Sequence, residues 1–251
     1  MVHFVGAGPG APDLITLRGA EYLKTASVVI YAGSLVNPVL LGLCPPDCRI
    51  FNSAEMTLEQ VLAAIDQAER EGKDTIRLHS GDPCLYGAIQ EQMDVLKAKN
   101  IPFDLTPGVS SFCGAAVAVE REYTLPGISQ TVIITRMAGR TPVPEGERMA
   151  ALAAHGATMV IFLSASLLEG LQEALLQGAY THQTPAALVY KATWPEEKVV
   201  HCTLGQLART GRDHGISQTA LVLVGDFLNG SYDRSRLYAP DFSTGYRRAT
   251  E

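Results

Sequence analysis

Charge is scarce in this chain of 251 residues. Only 18% are Asp, Glu, Lys or Arg, and the acids outnumber the bases 26 to 20, giving a formal net charge of −6. General nucleic-acid binding needs a basic face, so this balance excludes it as an expectation. A local basic pocket for an acidic small molecule is still open. Long apolar runs are missing as well, none approaching the ~20 residues of a membrane span. The chain opens on strand-like sequence, not on the basic and apolar stretches of a secretion signal. The expected setting is cytoplasmic, with no membrane partner.

Cysteine is sparse and badly spaced for cross-linking. Cys44, Cys48, Cys84, Cys113 and Cys202 make an odd set without the pairing of a disulfide framework. Cys44 and Cys48 stand apart by "PPD", but no second Cys/His pair follows at zinc spacing, so no metal is expected. Free thiols in a reducing compartment are the expectation.

What is present is core-forming sequence, 47% hydrophobic, arranged as alternating strand and helix signals. "HFVGAG" and "SVVIYAG" read as buried strands, continuous as a parallel sheet prefers, and "CRIFNSA" as a third. Between them "TLRGAEYLKTA" has helical spacing, with Thr16 placed as N-cap. Thr57 and Gln60 begin a capping box, and Gly72 suits the stop. Then come strand "DTIRLHSGDP", helix "YGAIQEQMDVLKAKN" with Asn100 near its end, and the strand–turn–helix "FDLTPGVSSFCGAAVAV". "REYTLPGISQ" reads as a connection. Beyond it "TVIITR", "TMVIFLS" and "TALVLVGD" are strands, and "GERMAALAAHG", "SLLEGLQEALLQG" and "LGQLARTG" are helical. The fold expected is two tandem α/β domains, 1–120 and 131–251 with linker 121–130. Their sheets are mainly parallel or mixed, and a cleft between the domains is expected to take the ligand.

The loop "VGAGPGAPDLIT", Val5–Thr16, decides between ligands. A dinucleotide fingerprint spaces its glycines G-x-G-x-x-G and starts its helix at once. Here Gly6, Gly8 and Gly10 are one residue short, Pro9 and Pro12 stiffen the turn, and the helix signal waits until Thr16. "VVIYAG" carries no acidic residue for a ribose. These features count against a nicotinamide-dependent oxidoreductase. "SGDPCLYG" and "TPGVSS" also follow strands, and in an open parallel sheet all three turns share the edge where ligands bind.

Together with "VIFLSAS" and "ALVYKATWPEE", these three motifs resemble the tetrapyrrole (uroporphyrinogen-III, corrin and precorrin) methyltransferase family over most of the chain. "VVIYAGSLVNP" and "ITRMAGRTPVPE" are similar to the branch that methylates C11 of precorrin-4 or cobalt-precorrin-4 in cobalamin synthesis. Ala11 stands where the family loop often has aspartate, with Asp13 nearby.

The resemblance implies S-adenosylmethionine as cofactor, touched by Pro9, Gly81, Asp82, Leu85, Ser110, Ser111, Leu163 and Ala192. Asp82 would bond a ribose hydroxyl or the ammonium of the tail, or else hold its own turn. Ser110 and Ser111 would also serve as N-caps, and "VIFLS" alone reads as core strand. The implied substrate is a flat macrocycle bearing several carboxylates. Arg136 and Arg140 would grip it bidentately, unless they are solvated loop charges, and Lys191 is a weaker candidate. Trp194, the one tryptophan, would face the macrocycle or close the cleft. His79 reads as a satisfied core histidine, and no residue is singled out as catalytic acid or base. A homodimer is also implied. The alternatives are methylation at another ring position and a non-catalytic tetrapyrrole sensor.

Overall fold

The computed structural model describes residues 1–250, so Glu251, the last residue of the expected second domain, lies outside the described residues. Two compact units divide the chain. One is Met1–Val117 with Lys191–Glu197, and the other is Ala118–Tyr190 with Lys198–Glu251. The segment 121–130 falls in the second unit, and seven residues from the middle of that unit's sequence group with the first.

The first unit is built on strands β1 (Val2–Gly6), β2 (Val28–Tyr31), β3 (Arg49–Asn52), β4 (Thr75–His79) and β5 (Phe103–Thr106). They form one sheet in the order β3-β2-β4-β1-β5, and every pairing is parallel. Helices α1 (Leu17–Lys24), α2 (Leu58–Arg70), α3 (Gln90–Ala98) and α4 (Ser111–Ala118) complete it. Their local signals work as read. Thr16 Oγ1 accepts from Gly19 N–H, closing the α1 N-terminus. The Thr57–Gln60 capping box forms in both directions. Asn100, past the end of α3, takes the left-handed conformation that ends a helix, φ 55°.

One expectation fails. The stretch from Tyr86 has helical spacing, yet α3 begins only at Gln90, because Tyr86 (φ 58°) and Ala88 (φ 49°) are left-handed. That backbone cannot propagate a right-handed helix.

Leu23 of α1 packs with Val5, Val29 and Leu78 on one face of the sheet. Leu96 of α3 and Ile65 of α2 pack with Phe4 and Ile30 on the other. The neighbouring strands β1 and β4 therefore send their helices to opposite faces. The crevice beyond their carboxyl ends is the switch point of a doubly wound sheet, where ligands bind.

The second unit carries β6 (Val132–Arg136), β7 (Thr158–Phe162), β8 (Pro185–Tyr190), β9 (Lys198–Thr203) and β10 (Ala220–Val224), ordered β6-β7-β10-β8-β9. Only β6 and β7 are parallel, and the other pairings are antiparallel. The sheet is therefore mixed. Helices α5 (Met149–Ala153), α6 (Leu168–Leu176) and α7 (Leu207–Asp213) pack on it around fully buried Met159, Leu171 and Leu188. The strand β9 has no counterpart in the expected pattern. After β10 the chain holds two short 3-10 helices, Asp226–Leu228, which contains Phe227, and Arg236–Tyr238.

Candidate functional site

The glycines of the first loop are explained by backbone contact. A Cβ on Gly6 would lie 2.5 Å from Gly108 Cα and 2.6 Å from Gly81 O, and one on Gly108 would lie 2.1 Å from Gly81 O. Three turns, following β1, β4 and β5, thus meet main chain to main chain, which only residues without side chains permit. Two hydrogen bonds lock the first pair, Gly8 N–H to Gly81 O (3.3 Å) and Gly81 N–H to Gly8 O (2.8 Å). Asp82 ties in the third. One carboxylate oxygen accepts from Cys84 N–H at 2.8 Å and the other from Gly108 N–H at 2.9 Å. Its turn-holding role is therefore present in the structure, and lone pairs remain on both oxygens for a further partner.

Around this knot the structure gathers most of the candidates. Ser110 is buried beside it, and a Cβ on Gly81 would stand 3.4 Å from Ser110 Cα and 3.5 Å from Ser111 N. Ser110 O accepts from Cys113 N–H at the start of α4. Leu85 N–H donates to Asp82 O within the same turn. Pro9 and Ala192 meet at Gly114, where a Cβ would be 3.3 and 3.5 Å from their Cβ atoms.

The donor set distinguishes ligands. A 3-10 helix, Pro12–Leu14, separates the glycine loop from α1, and Thr16 already serves the N-terminus of α1. A pyrophosphate would want that N-terminus open and facing it. The loop instead offers turn backbone and small side chains, which suits a nucleoside ligand without phosphate, as S-adenosylmethionine is.

Leu163, Arg136 and Arg140 belong to the second unit. Leu163 departs from the core strand that "VIFLS" alone suggests: it is 62% exposed, directly after β7, with φ 53°. A bulky residue held left-handed costs of order 1–3 kcal/mol, and such strain collects at functional positions. Arg136 ends β6 opposite Phe162. Its guanidinium donates to the carbonyls of Met137, Thr141 and Pro142, so it organises its own loop. Arg140 is exposed on that loop.

One reading needs revision. His79 is buried at the end of β4, but it is not satisfied, since Nε2 has no hydrogen-bond partner among the described residues. Burial, with the Arg77 cation second, pushes its pKa down to about 3, so the ring is neutral at pH 7. Trp194 is half-buried against the glycine loop. Its Nε1–H donates to Pro9 O at 3.1 Å. Lys191 is likewise engaged, with Nζ 3.5 Å from Glu196 and 5.2 Å from the indole centroid.

Fold and loops define a two-unit α/β protein whose parallel sheet carries a backbone cradle for a small ligand at its switch point. The chain belongs to the family of Tetrapyrrole (Corrin/Porphyrin) Methylases, whose model it matches over residues 1–208. It is 46% identical to the cobalt-precorrin-4 C(11)-methyltransferase of Methanocaldococcus jannaschii, over 99% of this chain and 96% of that one. It is 44% identical to the precorrin-4 C(11)-methyltransferase of Mycobacterium tuberculosis, over 95% and 96%. Among solved structures, a cobalamin biosynthetic enzyme, cobalt precorrin-4 methyltransferase, superposes with a TM-score of 0.89 at 43% identity, covering 91% of this chain and 96% of that one. Uroporphyrin-III C-methyl transferase from Thermus thermophilus, complexed with S-adenyl homocysteine, gives a TM-score of 0.76 at 25% identity, over 91% and 93%.

Proposed function

We propose that this chain is an S-adenosylmethionine-dependent C-methyltransferase acting at C11 of precorrin-4, or of its cobalt form, in cobalamin biosynthesis. The observation that carries the reading is similarity to C11-methyltransferases along nearly the whole chain, at 44–46% identity. The phosphate-free loop donor set described above supports the cofactor class independently.

When bound, the cofactor supplies a methyl group made electrophilic by its sulfonium. The chain's own contribution is position and surroundings. Gly8, Gly81 and Gly108 give main chain that a ligand approaches closely. Asp82 keeps their turns in register and offers its remaining lone pairs to a hydroxyl or ammonium. Ser110, Ser111, Leu85, Pro9 and Ala192 border the same cradle. From the second unit, Leu163 offers exposed apolar surface and backbone, and Arg136 and Arg140 offer cations for the macrocycle's carboxylates. Arg140 is the freer to move, because Arg136 already holds three carbonyls.

The reading extends to a cytoplasmic enzyme without nucleic-acid or membrane partners. The five free thiols and the acidic balance support it. The homodimer rests on the family resemblance alone and is tested by light scattering of the purified protein.

The deciding experiment incubates the protein with precorrin-4 or cobalt-precorrin-4 and S-adenosylmethionine labelled with carbon-13 in its methyl group. Label at C11 of the product is the expected result. Label at another ring carbon, or none, overturns the assignment.

A further inference from the structure

Between β8 and β9 the chain leaves the second sheet for Lys191–Glu197, which groups with the first unit. Two of these seven residues have backbone that side chains disfavour, Lys191 at φ 46° and Thr193 at φ 68°. For a β-branched residue this is a genuine outlier, held only where surrounding contacts over-determine it.

Those contacts fall on the glycine loop, on α4 and within the segment itself. Thr193 Oγ1 accepts from Ala11 N–H at 3.0 Å, while its own N–H donates to Glu197 Oε2 at 2.6 Å. Trp194 Nε1–H donates to Pro9 O at 3.1 Å. Between those two bonds lies Gly10, where a Cβ would sit 2.1 Å from Trp194 Cδ1. The indole thus occupies the place a side chain would need. Thr193 Cγ2 would lie 3.0 Å from a Cβ on Gly114, so the segment also fills the space toward α4. Lys191 steadies the ring from one side and is itself tethered by Glu196.

We infer that Trp194 is a positioning residue that holds the Pro9–Ala11 turn in its ligand-receiving shape, so that the state of the loop and the surroundings of the indole are coupled. The inference rests on the assignment of the glycine loop to the cofactor. Pro9 O and Ala11 N–H, one residue apart on either side of Gly10, both take their tertiary partners from this segment. Without it, the turn keeps the bond from Asn37 Nδ2 to Gly10 O at 2.8 Å but loses both contacts that flank the glycine, and a smaller fraction of molecules present the receiving shape. Apparent affinity falls by that fraction.

The test is calorimetric titration with S-adenosylhomocysteine of the wild-type chain and of Trp194→Phe, Trp194→Ala, Gly10→Ala and the Gly10→Ala/Trp194→Ala double variant, each with its melting temperature. Trp194→Phe keeps the ring and loses the N–H, and is expected to bind about 3- to 5-fold more weakly. Trp194→Ala is expected to bind about 10-fold more weakly or worse. Gly10→Ala drives a methyl into the ring, and the double variant loses less than the product of the two singles because both break one contact. With a single tryptophan in the chain, emission excited at ~295 nm reports this indole alone, and it should change saturably at the calorimetric Kd. A core variant of the second unit, Leu171→Ala, serves as control, with a lower melting temperature and unchanged affinity. Wild-type affinity in both Trp194 variants, with emission unmoved at saturation, overturns the inference while leaving the cofactor assignment standing. Absence of binding by the wild-type chain overturns the cofactor assignment and the inference with it.

Discussion

The two units use the same kinds of element and differ in what their sheets do with strand ends. In the first, five parallel strands deliver every carboxyl end to one edge, so the turns after β1, β4 and β5 touch through Gly6, Gly8, Gly81 and Gly108. In the second, only β6 and β7 are parallel neighbours. The strand β10 runs against both β7 and β8, which brings the ends of β6, β7 and β8, at Arg136, Phe162 and Tyr190, to a common edge. The first edge is knotted by backbone hydrogen bonds. The second carries exposed or strained residues, Arg140, Leu163 and the departure of the chain at Lys191. A parallel sheet builds its edge from glycine and main chain, while a mixed sheet projects side chains from one.

Substituting one glycine in each unit probes this difference most strongly. Gly108→Ala should be the more damaging, because its methyl meets Gly81 O and Gly6 Cα, backbone that cannot step aside. A loss of ~3 kcal/mol of stability is expected, with S-adenosylhomocysteine affinity down more than ~10-fold by the resulting misplacement. Calorimetry and chemical unfolding read both.

Acid tests the first unit next. Its His79 has a folded pKa of about 3, against ~6.5 when unfolded, so between those values the unfolded chain binds the extra proton. Stability is therefore full above about pH 6.5 and falls as pH drops toward 3. A loss of about 2 kcal/mol between pH 6.5 and 5 is expected at ~1.4 kcal/mol per pH unit. The four histidines of the second unit, His155, His182, His201 and His214, are all exposed. Urea unfolding followed by Trp194 emission should show the dependence, and His79→Asn should flatten it. An equally steep variant would mean that another group is responsible.

Gly211→Ala is the matching change in the second unit. Its methyl would approach Leu168 Cδ1 to 2.2 Å, but that is the end of a flexible side chain beside a cavity of about 260 Å³. About 1–2 kcal/mol should be lost, with ligand affinity unchanged. Thr57→Ala should cost least, ~1 kcal/mol from the α2 capping box, visible only in the melting temperature. A fall in affinity in either variant would break the assignment of cofactor binding to the glycine edge.

Local chemistry was the legible part of this sequence. The caps at Thr16 and Thr57 and the stop at Asn100 involve partners within a turn, so spacing alone reveals them. The glycine motifs point to one shared edge, where their turns do meet, because strand ends of a parallel sheet must coincide. Other features are set by distant contacts. Helical spacing after Tyr86 says nothing of a backbone held left-handed. Leu163 lies in an apolar run, and only its φ and its exposure show that it has left the strand. The carboxylate of Asp82 spends itself partly on Gly108, 26 residues away. The partner of Trp194 is 185 residues distant, beyond any window in which periodicity operates. The strand β9 holds only exposed and half-covered residues, as an edge strand can, and so lacks the buried run that marks its neighbour β8.

The grouping of Lys191–Glu197 with the first unit also has a temporal consequence. A polypeptide emerges from the ribosome amino end first, and a contiguous domain can close as soon as its last residue is out. Here the first unit is interrupted after Val117 and resumes only at Lys191, so all of Ala118–Tyr190 must be made before its final contacts are available. At ~5–20 residues per second, that interval is on the order of 4–15 s. Throughout it the nascent Pro9–Ala11 turn waits without its indole, and the amino-terminal unit gains its last contacts only when most of its successor has been translated.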